Sequence, residues 1–514
     1  MGHRLAVVLA ALALPLAATG APAQAAPTTV PLGNVIPAPV EVHPGGSPFR
    51  LTDRTVIEAP SAARTVADRL EEALKPATGF RLPIIGRASS RTPVIALRLS
   101  GPATGYRLTS GHDRITIEAR TAEGLFDGVQ TLRQLLPAAI DARTPQRRDW
   151  AVAGGTIVDH PRYAYRGAML DEARHFHTPD EVKQYIDEIA RFKVNYLHLH
   201  LADDQGWRIQ IDSWPRLTRI SGGAGTGVDG VGGGYLTKAD YKDLVRYAAA
   251  RYVTIVPEID MPGHVNAAQV AYPALTCDGV APPPRTDTEV GYSSLCTSKE
   301  ITYRFAEDVI REIAAITPGP YIHVGGDEAH ATAPADYVAF EQRVLPLVAK
   351  YGKIAYGWHQ IAQAPAASRA VAQFWGTDDT DADLVAAVKT GTKVVMSPAN
   401  QAYLDMKYTE DTPLGQDWAA LIEVHDAYGW DPATRVAGVP ASAVLGVEAP
   451  LWSETLRSLA DIQYMAFPRL PAIAELGWSA SYSWDSFRAR LGTYGPRWDR
   501  QGVNFYRSPQ IDWS

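Results

Sequence analysis

The chain has 514 residues, of which 46% are hydrophobic and 20% charged, so it can build a large barrel with a smaller companion and is far from the composition of a disordered chain. Its 49 basic and 56 acidic residues leave a formal net charge of −7 with no basic block, which argues against nucleic acid or an anionic membrane as the main partner.

The N-terminus reads as an export signal spanning residues 1–25. His3 and Arg4 precede an apolar run from Leu5 to Leu16, and Ala23-Gln24-Ala25 supplies a small-x-small cleavage site. The mature chain is expected to begin near Ala26 and to be secreted. The apolar run is too short to span a bilayer, and no later segment qualifies. An oxidising destination makes Cys277 and Cys296 an expected disulfide, closing the proline-rich loop between them.

Residues 26–158 predict a small α+β domain. Val56-Ile57-Glu58 and Ile95 to Leu99 have strand character, and Tyr106 to Ile117 predicts a hairpin turning at Gly111-His112-Asp113. Helical spacing covers Ala62 to Lys75 and Thr121 to Leu136, the latter with Leu125, Leu132, Leu135 and Leu136 on one face. No catalytic cluster stands out in this domain.

From residue 159 to 514 the character changes, and short β-rich runs alternate with amphipathic helices. The strands are expected at Arg166 to Asp171, Asn195 to Leu201, Val253 to Ile259, Tyr321 to Val324, Ile354 to Gly357, Ala370 to Phe374, Lys393 to Ser397 and Val444 to Val447. Helical patterns fall at Pro179 to Lys193, Lys238 to Arg251, Ser298 to Ile316, Asp336 to Tyr351 and Asp381 to Thr390. This alternation predicts an α/β fold, a (β/α)8 TIM barrel preceded by the small α+β domain, with its active site at the strand C-terminal ends.

The residues just past those strands are therefore the informative ones. They include Asp171 to Arg174, Asp203-Asp204, Asp260 to His264, Asp327-Glu328, Trp358-His359, Trp375, Tyr403 to Asp405 and Trp452 to Glu454. Tryptophan faces stack on the C–H face of a pyranose, while carboxylates and arginine take its hydroxyls, so this rim has a sugar-binding composition. Within it, Tyr321-Ile322-His323-Val324 runs through Gly325-Gly326 into Asp327-Glu328, a strand that brings backbone close to a neighbour before presenting two acids. His198 and His200 share a strand face and invite a metal reading, but the rim offers tryptophan rather than more histidine, and packed strand histidines account for them better. His264 after Asp260-Met261-Pro262-Gly263 reads equally as a proton relay or a loop histidine. The glycine-rich run from Gly222 to Gly234 lacks a phosphate-loop pattern and reads as a loop at the barrel top.

His323-Val324-Gly325-Gly326-Asp327-Glu328 resembles the H-x-G-G-D-E signature of family 20 glycoside hydrolases, the β-N-acetylhexosaminidases. In family order stand Leu170 to His175, His198 to Gln205, Pro257 to His264, Gly357-Trp358, Phe374-Trp375-Gly376, Tyr403-Leu404-Asp405 and Glu448 to Glu454. The resemblance covers nearly the whole mature chain. It implies exo-acting, retaining hydrolysis in which the substrate's own 2-acetamido oxygen attacks C1. By the same resemblance Glu328 is the general acid and base, Asp327 and Tyr403 orient the acetamide, and Asp203 and His264 tune Glu328. Arg174, Trp358, Trp375, Asp405, Trp452 and Glu454 bind the terminal sugar of an N-acetylhexosamine-terminated oligosaccharide. This reading calls for no cofactor and no metal. Three other readings use the same residues: a retaining glycosidase with Glu454 as nucleophile opposite Glu328, a sugar-binding protein on a degenerate barrel that would be expected to lack Glu328, and a metal hydrolase.

Overall fold

The computed structural model describes residues 1–2, 29–89, 92–231 and 233–513, so the expected export signal lies almost entirely outside the described residues. Eight parallel strands close a barrel in sequence order: β1 (Tyr165–Asp171), β2 (Tyr196–His200), β3 (Thr254–Glu258), β4 (Tyr321–His323), β5 (Ile354–Trp358), β6 (Val371–Phe374), β7 (Lys393–Met396) and β8 (Val444–Ala449), with β8 pairing back onto β1. The predicted TIM barrel is present, every expected strand matched to within a few residues.

The helices around it start where local chemistry dictates. Thr178 caps the helix Pro179–Ala190 in a capping box with Glu181, with proline at the first helical position, and Thr237 does the same with Asp240 for Lys238–Ala249. Helices also occupy Glu300–Ala314, Pro334–Lys350 and Ala382–Lys389 as the spacing predicts. Past Glu454, where no helix was predicted, three more follow: Leu459–Ala466, Arg469–Trp478 and Trp484–Gln501.

The barrel interior departs from the usual filling of branched aliphatic side chains. Alternation along β2 sends Tyr196, His198 and His200 inward at successive levels. At the N-terminal end of the barrel Tyr165 stacks on Tyr196 with ring centroids 4.2 Å apart, and Tyr321 and Tyr356 meet Tyr165 edge-on at 6.2 and 6.0 Å, forming an aromatic floor. Above it lies a fully buried polar layer of His198, Glu258, His323, Gln373 and Glu448.

The N-terminal domain is a seven-stranded mixed sheet that includes Val56–Glu58, Val94–Arg98 and the antiparallel hairpin Tyr106–Ser110 with Arg114–Glu118, covered by helices Arg64–Thr78 and Ala122–Leu135. Its strand Gly155–Asp159 is followed by β1 at Tyr165, so the junction falls across residues 160–164. Asp159 fastens the two domains, accepting hydrogen bonds from Tyr106 Oη at 2.6 Å, Lys193 Nζ at 3.0 Å and Trp478 Nε1 at 2.9 Å.

Candidate active site

The loop after β4 is bent by two consecutive glycines at positive φ, 71° at Gly325 and 99° at Gly326. A Cβ on Gly325 would fall 1.8 Å from Asp260 Oδ1, so only glycine lets this backbone pass the loop that follows β3. Gly326 N–H donates to Asp260 Oδ1 at 3.0 Å, and Tyr337 Oη donates to Gly326 O at 2.7 Å. The turn then delivers Asp327 and Glu328 side by side, with Glu328 itself at φ 44°, local strain of the kind that collects at functional sites. Asp327 is buried, whereas the Glu328 side chain is 28% exposed toward the mouth.

The other strand ends close a pocket around this pair. Asp171 at the end of β1 accepts from Ala173 N–H at 2.8 Å and from Ser453 N–H at 3.1 Å, locking the loops that carry Arg174 and Glu454 to one another. Arg174 reaches Asp203 Oδ2 at 2.9 Å and Glu454 Oε1 at 3.8 Å and lies over the Trp452 ring at 5.0 Å. Arg469, from the helix Arg469–Trp478, donates to the carbonyls of Leu404 at 2.5 Å and Met406 at 2.7 Å, holding the segment that presents Tyr403 and Asp405. The result is a cavity of about 190 Å³ lined by Arg174, His264, Thr288, Val290, Asp327, Glu328, Trp375, Tyr403, Asp405, Gln416, Trp418, Trp452 and Glu454. That is below the ~300–1,000 Å³ of pockets for larger ligands, a size for one sugar unit.

Of the predicted substrate-binding residues, Trp375 and Trp452 line the cavity, while Trp358 is fully buried beneath it, 5.7 Å from the Trp452 ring. Asp203 also stands behind the wall rather than in it. The sequence reading missed Trp418, which is 52% exposed and meets Trp375 edge-on at 6.1 Å. It also missed Gln416, Thr288 and Val290. The last two belong to the loop closed by the Cys277–Cys296 disulfide, which is formed as expected. Ser293 on that loop donates to Asp204 Oδ1 at 2.6 Å and accepts from Val265 N–H at 2.9 Å, tying the loop to the turn that carries His264.

Electrostatics divide the acids. Burial raises the Asp327 carboxyl to about 6, partly offset by His264 and reinforced by the neighbouring Glu328. Burial and the Glu454 charge push Asp405 well above the usual carboxylate range, and burial also raises Glu454 against the pull of Arg174. Asp203 goes the other way: burial alone would raise it, but Arg174 and His264 hold it well below the usual range. Burial opposes charge on His264, yet Asp203 and Asp327 raise its proton affinity well above that of a free imidazole. His264 Nδ1 lies 3.0 Å from Asp203 Oδ1 and its Nε2 3.4 Å from Glu328 Oε2, so the imidazole stands between the two carboxyl groups. Asp327 Oδ1, Asp405 Oδ2 and Glu454 Oε2 have no donor among the described residues, which leaves acceptors facing a ligand rich in O–H and N–H groups.

Among the described residues, three carboxyl or imidazole groups come within reach of one cation in four sets: Asp203, Asp204 and His264; Asp260, His264 and Asp327; His198, Glu258 and His323; and His200, Glu258 and Asp260. The first two sets contain the strongly basic His264, and Arg174 already sits on Asp203, so each carries its own counter-charge. The strand histidines are committed as well: His200 Nε2 lies 2.7 Å from Asp203, and His198 Nδ1 2.9 Å from Glu448.

Unlike carboxylates beside tryptophan faces, in a closed pocket at a barrel mouth, define a sugar-handling (β/α)8 enzyme. The family model for the glycosyl hydrolase family 20 catalytic domain matches residues 163–337 and 333–481, and that for glycosyl hydrolase family 20, domain 2, matches residues 33–160. A β-N-acetylhexosaminidase of Cellulomonas fimi is 42% identical over 488 residues, 93% of this chain and 97% of its own. A mutant Streptomyces plicatus β-hexosaminidase in complex with its product GlcNAc superposes with a TM-score of 0.92 at 55% identity, covering 95% of this chain and 99% of that one. The family 20 β-N-acetylhexosaminidase of Streptomyces coelicolor A3(2) does so at 0.92 and 54%, covering 95% and 100%. The chain belongs to glycosyl hydrolase family 20 and is a glycoside hydrolase.

Proposed function

We propose that this enzyme removes terminal, non-reducing N-acetyl-β-D-hexosamine units, GlcNAc and also GalNAc, from chitooligosaccharides or glycans, with retention and through the substrate's own acetamide. The observation that carries this reading is the unlike pair on one turn: a partly exposed Glu328 at the cavity mouth, and a buried Asp327 that keeps one oxygen without a donor among the described residues. Glu328 gives its proton to the glycosidic oxygen as the acetamide oxygen bonds to C1 and the C1–O bond breaks. Water then attacks C1, its proton returns to Glu328, and the acetamide is released intact. Asp327 accepts the acetamide N–H and balances the positive charge that grows there, and a tethered nucleophile of this kind has an effective molarity of about 10⁵ M or more. Tyr403 donates to the acetamide oxygen. Asp405, Glu454 and Arg174 take the far hydroxyls and close the pocket to internal sugars, which supports exo action. The Streptomyces plicatus complex with GlcNAc supports the choice of sugar.

Aryl 2-acetamido-2-deoxy-β-glycosides in gluco and galacto forms, assayed beside the plain aryl β-glucoside, test this. Turnover of the first two with little of the third is expected; equal cleavage of the glucoside would instead favour an enzyme nucleophile such as Glu454. The export signal at residues 1–25 is part of the proposal, checked by the N-terminal sequence of protein recovered from culture medium.

A further inference from the structure

Below the catalytic turn the buried acids and imidazoles form one chain. Glu328 Oε2 faces His264 Nε2 at 3.4 Å, His264 Nδ1 lies 3.0 Å from Asp203 Oδ1, and Asp203 Oδ2 lies 2.7 Å from His200 Nε2. His200 Nδ1 then meets Glu258 Oε2 at 2.5 Å, the same oxygen lies 3.0 Å from His198 Nε2, and His198 Nδ1 is 2.9 Å from Glu448 Oε1. Tyr165 Oη donates to Glu448 Oε2 at 2.5 Å and ends the chain in the aromatic floor. From His264 down every member is buried.

We infer that Glu258 and Glu448, acting through His198 and His200, are positioning residues for the catalytic acid, fixing His264 and Asp203 behind Glu328 from the floor of the barrel.

Four carboxyl groups alternate with three imidazoles, and both nitrogens of His198 and of His200 face a carboxylate. His200 is hydrogen-bonded at both nitrogens, and His198 is hydrogen-bonded to Glu448 through Nδ1 with its Nε2 set against Glu258, so neither ring can turn over without separating a buried charge pair, and each link orients the next. The protonation pattern agrees. Burial opposes charge on both rings, yet Glu448 and Glu258 lift His198 to about 9, and Glu258 and Asp203 lift His200 to about 10. The groups flanking the chain close it rather than divert it. Arg174 sits on Asp203 at 2.9 Å, His323 Nδ1 lies 2.9 Å from the second Glu258 oxygen, and Gln373 Nε2 donates to Glu448 Oε1 at 2.7 Å. Because the chain ends in stacked tyrosines rather than at solvent, it is built to hold a charge pattern, not to conduct protons.

This rests on the proposed role of Glu328 and is tested against it. Glu258→Gln, Glu448→Gln and Tyr165→Phe are compared with wild type and Glu328→Gln on two substrates: a dinitrophenyl N-acetylglucosaminide, whose leaving group needs no proton, and the unactivated N-acetylglucosamine disaccharide. The acid's full contribution is ~10²–10⁴-fold, and the positioning variants should lose a graded part of it. On the disaccharide, kcat should fall about 10-fold for Glu258→Gln, about 3-fold for Glu448→Gln and less for Tyr165→Phe. On the activated substrate kcat should change by less than about 2-fold, and KM should hold for both. Equal loss on both substrates, or none on either, overturns the inference while Glu328→Gln still shows the split. An absent split in Glu328→Gln, or inert wild type, overturns the functional reading instead. Should Glu258→Gln not fold, Glu448→Gln decides alone, since it keeps side-chain volume and lies farther from the sugar.

Discussion

At the seam between the domains Asp141 is enclosed by cations, with Arg133 bonded to one oxygen and Arg497 Nη1 donating to the other at 2.8 Å. At the barrel mouth Asp327, Asp405 and Glu454 are also buried in whole or part, yet each keeps an oxygen without a donor among the described residues. Burial alone would raise all four acids. At the seam the charges of Arg133 and Arg497 overcome it and bring Asp141 down to about 2, whereas at the mouth burial prevails and Asp327 rises to about 6. A buried acid is therefore not by itself a mark of function. What distinguishes the mouth is that its unfilled acceptors line one cavity together, where a ligand's O–H and N–H groups can reach them.

The contrast can be broken from the mouth first, where the largest effect is expected. Glu328→Gln should lower kcat/KM on an unactivated disaccharide by ~10²–10⁴-fold while leaving the unfolding free energy nearly unchanged; near-normal turnover would remove Glu328 from the acid role. At the seam the opposite split is expected. Asp141→Asn strands two arginines and should cost ~3–5 kcal/mol of stability with kcat/KM at 25 °C intact. Since Asp141 is lowered from 3.8 to about 2 on folding, its ionised form contributes roughly 2 kcal/mol at neutral pH. That contribution is complete above pH ~4 and fades as pH falls toward ~2, so denaturant midpoints for wild type and Asp141→Asn should converge in acid.

Asp327 sharpens the comparison because it should move rate and stability in opposite directions. Asp327→Asn is expected to lower kcat by ~10²–10³-fold, the scale on which one oriented charge stabilises a transition state. The same change should stabilise the fold by about 1–3 kcal/mol at neutral pH, since a carboxyl raised from 3.8 to about 6 opposes folding above pH ~6 and ceases to do so as pH falls toward ~4. Parallel activity and urea-unfolding series against pH read both. A variant that loses stability along with rate would place Asp327 with the seam acids rather than with the mouth.

How much of this was legible in the sequence follows from what each element needed. The barrel strands were readable because each is a short β-rich run between amphipathic helices, and the catalytic turn because its glycines and acids are contiguous. The helix Arg469–Trp478 was not, because all ten of its residues are buried and no polar stripe sets a 3.6-residue period. Strand Ile84–Ile85, with two residues, is too short for any period. The reading of the rim took only the residues just past the strands, so Glu258, the last residue of β3, and Glu448, within β8, carried no signal beyond their place in the family motifs. Trp358 stood at a strand end and read as a wall, but the alternation along β5 turns it into the core beneath Trp452.

Trp418 is the remaining element, and the smallest expected effect belongs to it. It stands in the loop between β7 and β8, away from any strand end, and packs on Tyr403 and Trp375 edge-on, both at 6.1 Å, with half its surface open. An exposed indole there adds an apolar face to the mouth without touching the acids, so it acts on binding rather than on proton transfer. Trp418→Ala should raise KM by an amount equivalent to ~0.5–1.5 kcal/mol, with kcat held within about 2-fold. The unfolding midpoint should not move, because little buried surface is lost. A fall in kcat matching that of Asp327→Asn would mean instead that Trp418 orders Tyr403, and the mouth would then extend its demand for precise placement into a loop that the barrel strands do not hold.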